Sequence, residues 1–204
     1  YRIKAQRNYI NSFLSKFSPD DYIIYSDNDE IPNLEKFNIK LNSKKFIIFN
    51  QKIFYYKLNL NLPNLNWYGS KACKLKYLNS IDFLRNIKNK EYSFMRIDTL
   101  FSDNKQNSVD IVKNGGWHFS NLKSYKDLEK KYLNDENHAE YETQKISILK
   151  IQENIKRQVV PYNHNAKKDS SSRFKETKLI KVDNEILPDY IKENLDKFEN
   201  WIAN

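Results

Sequence analysis

Glycine is almost missing from this chain, with three among 204 residues, and cysteine and methionine occur once each. A single cysteine, Cys73, excludes an intramolecular disulfide and any zinc site assembled from cysteines. Its surroundings, Lys71-Ala72-Cys73-Lys74-Leu75, read as a strand, which makes it a structural thiol. No run of about 18 apolar residues is present to form a membrane-spanning helix. No charged n-region followed by an apolar h-region is seen either, in a chain that opens on Tyr1, so a further segment upstream is expected.

What is abundant is charge and aromatic surface. Lysine and arginine number 35 against 26 acids, for a net charge of +9, and 14% of residues are aromatic. Such a balance fits nucleic acid, an anionic membrane or a phosphorylated substrate. Only six of the 35 cations are arginine, the residue suited to bidentate phosphate and base contacts. A lysine excess spread along the chain therefore reads as a solvated surface and an A+T-rich coding composition. No nucleic-acid motif accompanies it. The length and a mass of 24.6 kDa fit one domain with a substantial core.

Ile3, Ile10, Phe13, Leu14 and Phe17 recur at helical spacing before Ser18-Pro19-Asp20-Asp21 breaks the pattern. Phe46–Phe49 and Ile53–Tyr56, around Asn50-Gln51-Lys52, read as one or two buried strands, and the asparagine-leucine stretch from Asn59 to Asn66 as a surface loop. Ser80 is placed to cap a helix carrying Ile81, Phe83, Leu84 and Ile87, and Ser124 to cap one running toward Tyr132. Ile146, Leu149, Ile151 and Ile155 are expected to form the apolar face of another. Residues 162–175 are polar and read as a mobile loop that could serve as a lid, and 187–204 as a C-terminal helix with Pro188 at its first position. Two of the three glycines are adjacent in Gly115-Gly116-Trp117-His118, which marks a positive φ or a close backbone approach.

The segment Tyr22-Ile23-Ile24-Tyr25-Ser26-Asp27-Asn28-Asp29-Glu30-Ile31-Pro32 carries the most chemistry. β-Branched and aromatic residues stop at three carboxylates and a proline, so a strand delivers acids to a sheet edge. Ligand sites in open α/β sheets lie outside the carboxyl ends of strands. An Asp-x-Asp there suits Mg²⁺ or Mn²⁺, ions bound through one or two carboxylates plus substrate phosphates. An acidic turn capping a helix near Leu34–Phe37 accounts for the same residues.

Several motifs in order resemble glycosyltransferase family 17, which includes the animal N-acetylglucosaminyltransferase that adds the bisecting residue to N-glycans. Gln6-Arg7-Asn8 is similar to that family's helix before the acidic strand, and Ile24–Pro32 to its Ser-Asp-x-Asp-Glu-Ile-Pro signature. Trp67-Tyr68-Gly69-Ser70, Arg96, Gly115–Ser120, His138-Ala139-Glu140 and Leu187-Pro188-Asp189-Tyr190 follow in the same order. The resemblance implies an α/β fold of the GT-A type and inverting transfer of a sugar, N-acetylglucosamine from its UDP donor, to a glycan acceptor. It also implies a divalent metal. Asp27 and Asp29 match the metal and diphosphate motif, and Glu30 its acidic neighbour. Relatives carry a first β-α portion that helps hold the nucleoside and has no counterpart before Tyr1, so this chain is expected to be a fragment. Bacterial and viral members point to a cytoplasmic enzyme, animal ones to the Golgi lumen; one cysteine leans to the former.

Inverting transfer needs a group within reach of the acceptor hydroxyl to take its proton, and Glu140, Asp98 and Glu30 are the candidates. His118 is placed for a metal or phosphate contact, or is a structural histidine. His138 shares a site with Glu140 only if the segment is extended or begins a helix. Trp67 and Trp117 either stack on a sugar or base or pack in the core. Arg96 either clamps a diphosphate or forms a surface ion pair. His164 reads as solvated. A nucleic-acid-binding module and an inactive glycan-binding domain are the competing functions.

Overall fold

A computed structural model describes residues 2–37, 43–134, 147–164 and 175–203. The α-helices are α1 (Arg2–Tyr9), α2 (Ile81–Asn86), α3 (Tyr125–Asn134), α4 (Ile148–Lys156) and α5 (Asp189–Lys192). The strands are β1 (Tyr22–Tyr25), β2 (Glu30–Pro32), β3 (Phe46–Phe49), β4 (Lys52–Tyr55), β5 (Leu60–Asn61) and β6 (Lys71–Lys74). After them come β7 (Val109–Val112), β8 (Gly116–Ser120), β9 (Val159–Val160), β10 (Thr177–Lys178) and β11 (Ile180–Lys181). The chain is mixed α/β and divides into two compact units, Tyr1–Lys52 with Asn66–His118, and Ile53–Leu65 with Phe119–Asn204.

The first unit is built on a four-stranded mixed sheet in the order β1-β6-β3-β7, with β3 and β7 parallel and the other pairs antiparallel. Every side chain of the β3 run Phe46-Ile47-Ile48-Phe49 is buried, because alternate residues enter different cores. Phe46 and Ile48 pack with Cys73, Val109 and the Leu84 and Ile87 side chains that α2 brings to that face. Ile47 and Phe49 pack with Phe37, Ala72 and Val112. Cys73 is thus a core residue on β6, as its surroundings predict, and burial pushes its thiol up to about 12. Ser80 caps α2 by accepting from the Phe83 N–H at 3.0 Å. Apolar spacing in the first seventeen residues yields α1 followed by a 3₁₀ segment, Ile10–Lys16, on which Phe13 stays exposed.

In the second unit β4, β5 and β11 pair antiparallel, α3 packs on α4, and β9 pairs with β10. The stretch expected as a surface loop, Asn59 to Asn66, instead contains β5 and buries Leu60 and Leu62. Its asparagines act as surrogate backbone. The Asn59 amide donates to the Ala203 carbonyl at 3.0 Å and accepts from the Ala203 N–H at 2.7 Å, and Asn61 donates to the Ile53 carbonyl at 2.8 Å. On α4, Ile151 is buried whereas Leu149 faces solvent, so only part of the expected apolar stripe is core. The C-terminal segment is not one helix. Pro188 is the extended residue before α5, and Asn194 leaves helical geometry before the 3₁₀ segment Leu195–Trp201.

Asn59→Ala is expected to strand both Ala203 backbone groups and lower unfolding free energy by about 1–3 kcal/mol, read from a denaturant titration.

Candidate functional site

The end of β1 is where the sequence places the acids, and Asp27–Glu30 forms a turn closed by the Glu30 N–H donating to the Asp27 carbonyl at 3.0 Å. The chain then enters β2, which pairs antiparallel with β8 so that Glu30 faces His118, Ile31 faces Trp117 and Pro32 faces Gly116. Paired residues share a face and successive residues alternate, so Glu30 and His118 lie on one side and Ile31 and Trp117 on the other.

Glu30 is the fixed point of this arrangement. Its side chain is fully buried, its Oε1 accepts from the Trp67 indole N–H at 2.7 Å, and its Oε2 accepts from the Asp27 N–H at 3.1 Å. Burial raises the Glu30 pKa, and the Trp67 hydrogen bond works against that rise. Gly69 makes room for the carboxylate. A methyl group built on it would lie 2.1 Å from Glu30 Oε1 and 2.5 Å from Trp67 Nε1. Gly116 has φ +136°, and a methyl group there would lie 2.1 Å from the Ile31 carbonyl oxygen. Trp67 meets the His118 ring edge-on, with centroids 4.4 Å apart. The acidic turn, Trp67–Ser70 and Gly115–His118 therefore form one cluster.

The two aspartates of the Asp-x-Asp have different surroundings. Asp27 accepts from the Tyr25 hydroxyl at 2.5 Å and from Arg85 Nη2 at 3.1 Å, and Arg7 Nε donates to the same Tyr25 hydroxyl at 3.0 Å. Burial, then the Asp27 contact, raises the Tyr25 pKa. Arg85 Nη2 also lies 3.7 Å from Glu30 Oε1, so one guanidinium serves two carboxylates. Asp29 lies apart from that chain and is 39% exposed at its side chain, with Oδ2 at 3.5 Å from His118 Nε2. Asp27 is 33% exposed at its side chain, so the two acids differ in their partners more than in their access to solvent. With His118, Asp29 brings one carboxylate and one imidazole within 3.5 Å of each other. Among the described residues no group of three or more His, Cys, Asp or Glu could hold a metal alone.

Sequence reasoning passed over Arg85 and Lys71. Arg85 sits at the end of α2, and the Lys71 ammonium on β6 donates to the Arg85 carbonyl at 3.0 Å and the Ile87 carbonyl at 2.5 Å, tying down that helix end. Scarcity was the available signal for Arg85, one of six arginines in the chain. Behind the cluster, buried Gln51 donates to Ser70 Oγ at 3.0 Å, which lies 2.6 Å from Ser26 Oγ.

Other expected site residues are elsewhere. Arg96 grips Asp98 with two hydrogen bonds of 2.9 and 2.8 Å, and Lys105 donates to Asp98 at 2.6 Å, so this is an exposed ion cluster. Arg96 and Lys105 hold the Asp98 carboxyl well below the usual carboxylate range. Trp117 is half-buried on the opposite face of β8 from His118. His138 and Glu140 lie outside the described residues, as do 165–174 of the polar loop. His164, expected to be solvated, is held in the second unit with Nε2 2.8 Å from the Tyr55 hydroxyl. No protein-family model, curated protein or solved structure matches this chain.

Gly69→Ala is expected to push Glu30 and Trp67 apart and to destabilise by about 1–3 kcal/mol, with a change in tryptophan fluorescence. Lys71 provides a pH test. Burial, then the charge of Arg85, lowers its pKa from 10.5 to about 8. Between those values the unfolded chain holds the proton more tightly than the folded one, so this group's contribution to stability improves as pH rises through the window. Wild type should gain stability relative to Lys71→Met across that range in paired denaturant titrations; an unchanged difference would show that Lys71 is not depressed.

Proposed function

We propose that this chain is an inverting glycosyltransferase domain of the family 17 type, transferring N-acetylglucosamine from its UDP donor to a glycan acceptor with a bound divalent metal. A GT-A type fold belongs to the same reading. The observation that carries it is the meeting of three segments far apart in sequence around Glu30 and His118, with Asp29 beside them. A purely structural acidic turn has no need of a second, half-buried acid facing an imidazole.

Asp29 and His118 would hold Mn²⁺ or Mg²⁺, which when bound neutralises charge developing on the departing diphosphate. Asp27 is held by Tyr25 and Arg85, and its role is to fix the turn that aims Asp29. Glu30, buried and accepting two N–H bonds, fixes the same turn from the other side and is shut off from an acceptor hydroxyl. Asp98, clamped by two cations, is a poor proton acceptor at neutral pH. These surroundings leave Glu140 as the base of the three. Arg7, Arg85, Arg96 and Arg157 all bond to groups of this chain, which further weakens a nucleic-acid reading.

The test is a donor screen that measures nucleoside diphosphate release with Mn²⁺ present, supported by calorimetry of donor binding. Release or metal-dependent binding of a UDP-sugar is expected; neither with any donor would sink the reading. Asp29→Asn should weaken metal-dependent donor binding, whereas Asp27→Asn should chiefly lower thermal stability by loosening Arg85. Glu140→Gln should cut turnover by roughly 10²- to 10⁴-fold with donor affinity kept, and Asp98→Asn should leave turnover near normal. The reverse pattern would move the base to Asp98.

A further inference from the structure

One segment of the first unit is built inside out. In Phe94-Met95-Arg96-Ile97-Asp98-Thr99-Leu100-Phe101 all five large apolar side chains are exposed, from 71% for Ile97 to 85% for Phe101. The polar groups instead satisfy one another. Asp98 takes Arg96 and Lys105, and the Thr99 hydroxyl donates to the Arg96 carbonyl at 2.6 Å. A 3₁₀ turn, Ile97–Thr99, shapes the tip. The base is tied by the Lys88 N–H to the Asn104 carbonyl at 2.8 Å and the Tyr92 N–H to the Gln106 carbonyl at 2.9 Å. This is an anchored projection with an apolar outer surface.

Cations gather around Tyr92 beside that loop. Lys90, Arg96 and Lys105 lie 4.7, 5.6 and 6.0 Å from the centre of the Tyr92 ring. Lys44 pairs with Glu91, and Arg96 and Lys105 pair with Asp98, so the cations offered to a partner beside the loop are Lys88 and Lys90, against one further acid, Asp103, in a chain that carries +9 overall. We propose that residues 94–101 are a membrane-docking loop, whose apolar side chains enter the acyl boundary of an anionic bilayer while Lys88 and Lys90 meet lipid phosphates. Five separately exposed side chains on one loop suit a fluid that closes around each of them. An amphipathic device of this kind binds in the interface without spanning it, and its strength combines apolar burial with attraction to anionic lipid. Among the described residues no helix is long and apolar enough to cross a membrane.

The experiment is co-sedimentation of the chain with phosphatidylcholine vesicles, with and without phosphatidylglycerol. Binding to the anionic vesicles is expected, weakening as salt rises from about 0.1 M to about 1 M. Phe94→Ser combined with Phe101→Ser should reduce that partition at least about tenfold with the melting temperature unchanged, since both residues are exposed. Lys88→Gln with Lys90→Gln should reduce the preference for anionic over neutral lipid. Failure to bind anionic vesicles, or equal binding by the double phenylalanine variant, would overturn the proposal. So would a concentration-dependent dimer that the same variant abolishes, since a second copy would then be the occupant.

Discussion

A carboxylate taken out of water is the constraint around which the first unit is organised. Burying Glu30 is unfavourable unless its oxygens are matched, and a tryptophan N–H, a backbone N–H and a nearby guanidinium provide the matching groups. Each partner then needs its own support. Trp67 sits two residues before a glycine that keeps the backbone clear of the carboxylate, and Arg85 sits on a short helix whose end is held by a buried lysine. The polar network is dense because every member is an obligation created by another.

That network divides labour between neighbouring acids. Asp27, drawn into the Tyr25 and Arg85 chain, is fixed in place, and the turn it anchors holds Asp29 outward beside His118. Identical side chains two residues apart thereby have different surroundings, one bonded to Tyr25 and Arg85 and the other beside His118. The pairing of Glu30 opposite His118 brings that histidine to the turn.

Local patterns carried much of the fold. Tyr22–Tyr25 and Phe46–Phe49 form strands where β-branched and aromatic residues predict them, Lys71–Lys74 forms the strand expected around Cys73, and Ser80 caps a helix as its position implies. Asn59–Asn66 misled because asparagine favours turns in general, whereas here its amides replace backbone partners inside a core. Residues 187–204 misled because an apolar face at helical spacing says nothing of Asn194, where the backbone breaks. In the site, the glycines and His118 were legible as motif pieces. Arg85 and Lys71 were not, since their importance comes from carbonyl and carboxylate partners that only the folded chain brings near.

Cys73 leaves one practical consequence. Its thiol lies in the core of the first unit, opposite Ile23 and Phe46 on the neighbouring strands, and burial keeps it protonated far above neutral pH. A thiol in that state does not react with alkylating agents while the sheet is closed, because only the thiolate attacks and only an open chain lets the reagent in. As the one cysteine of the chain, it labels at a rate set by opening of the central sheet. The molecule carries its own clock for that event, readable by mass without adding a probe.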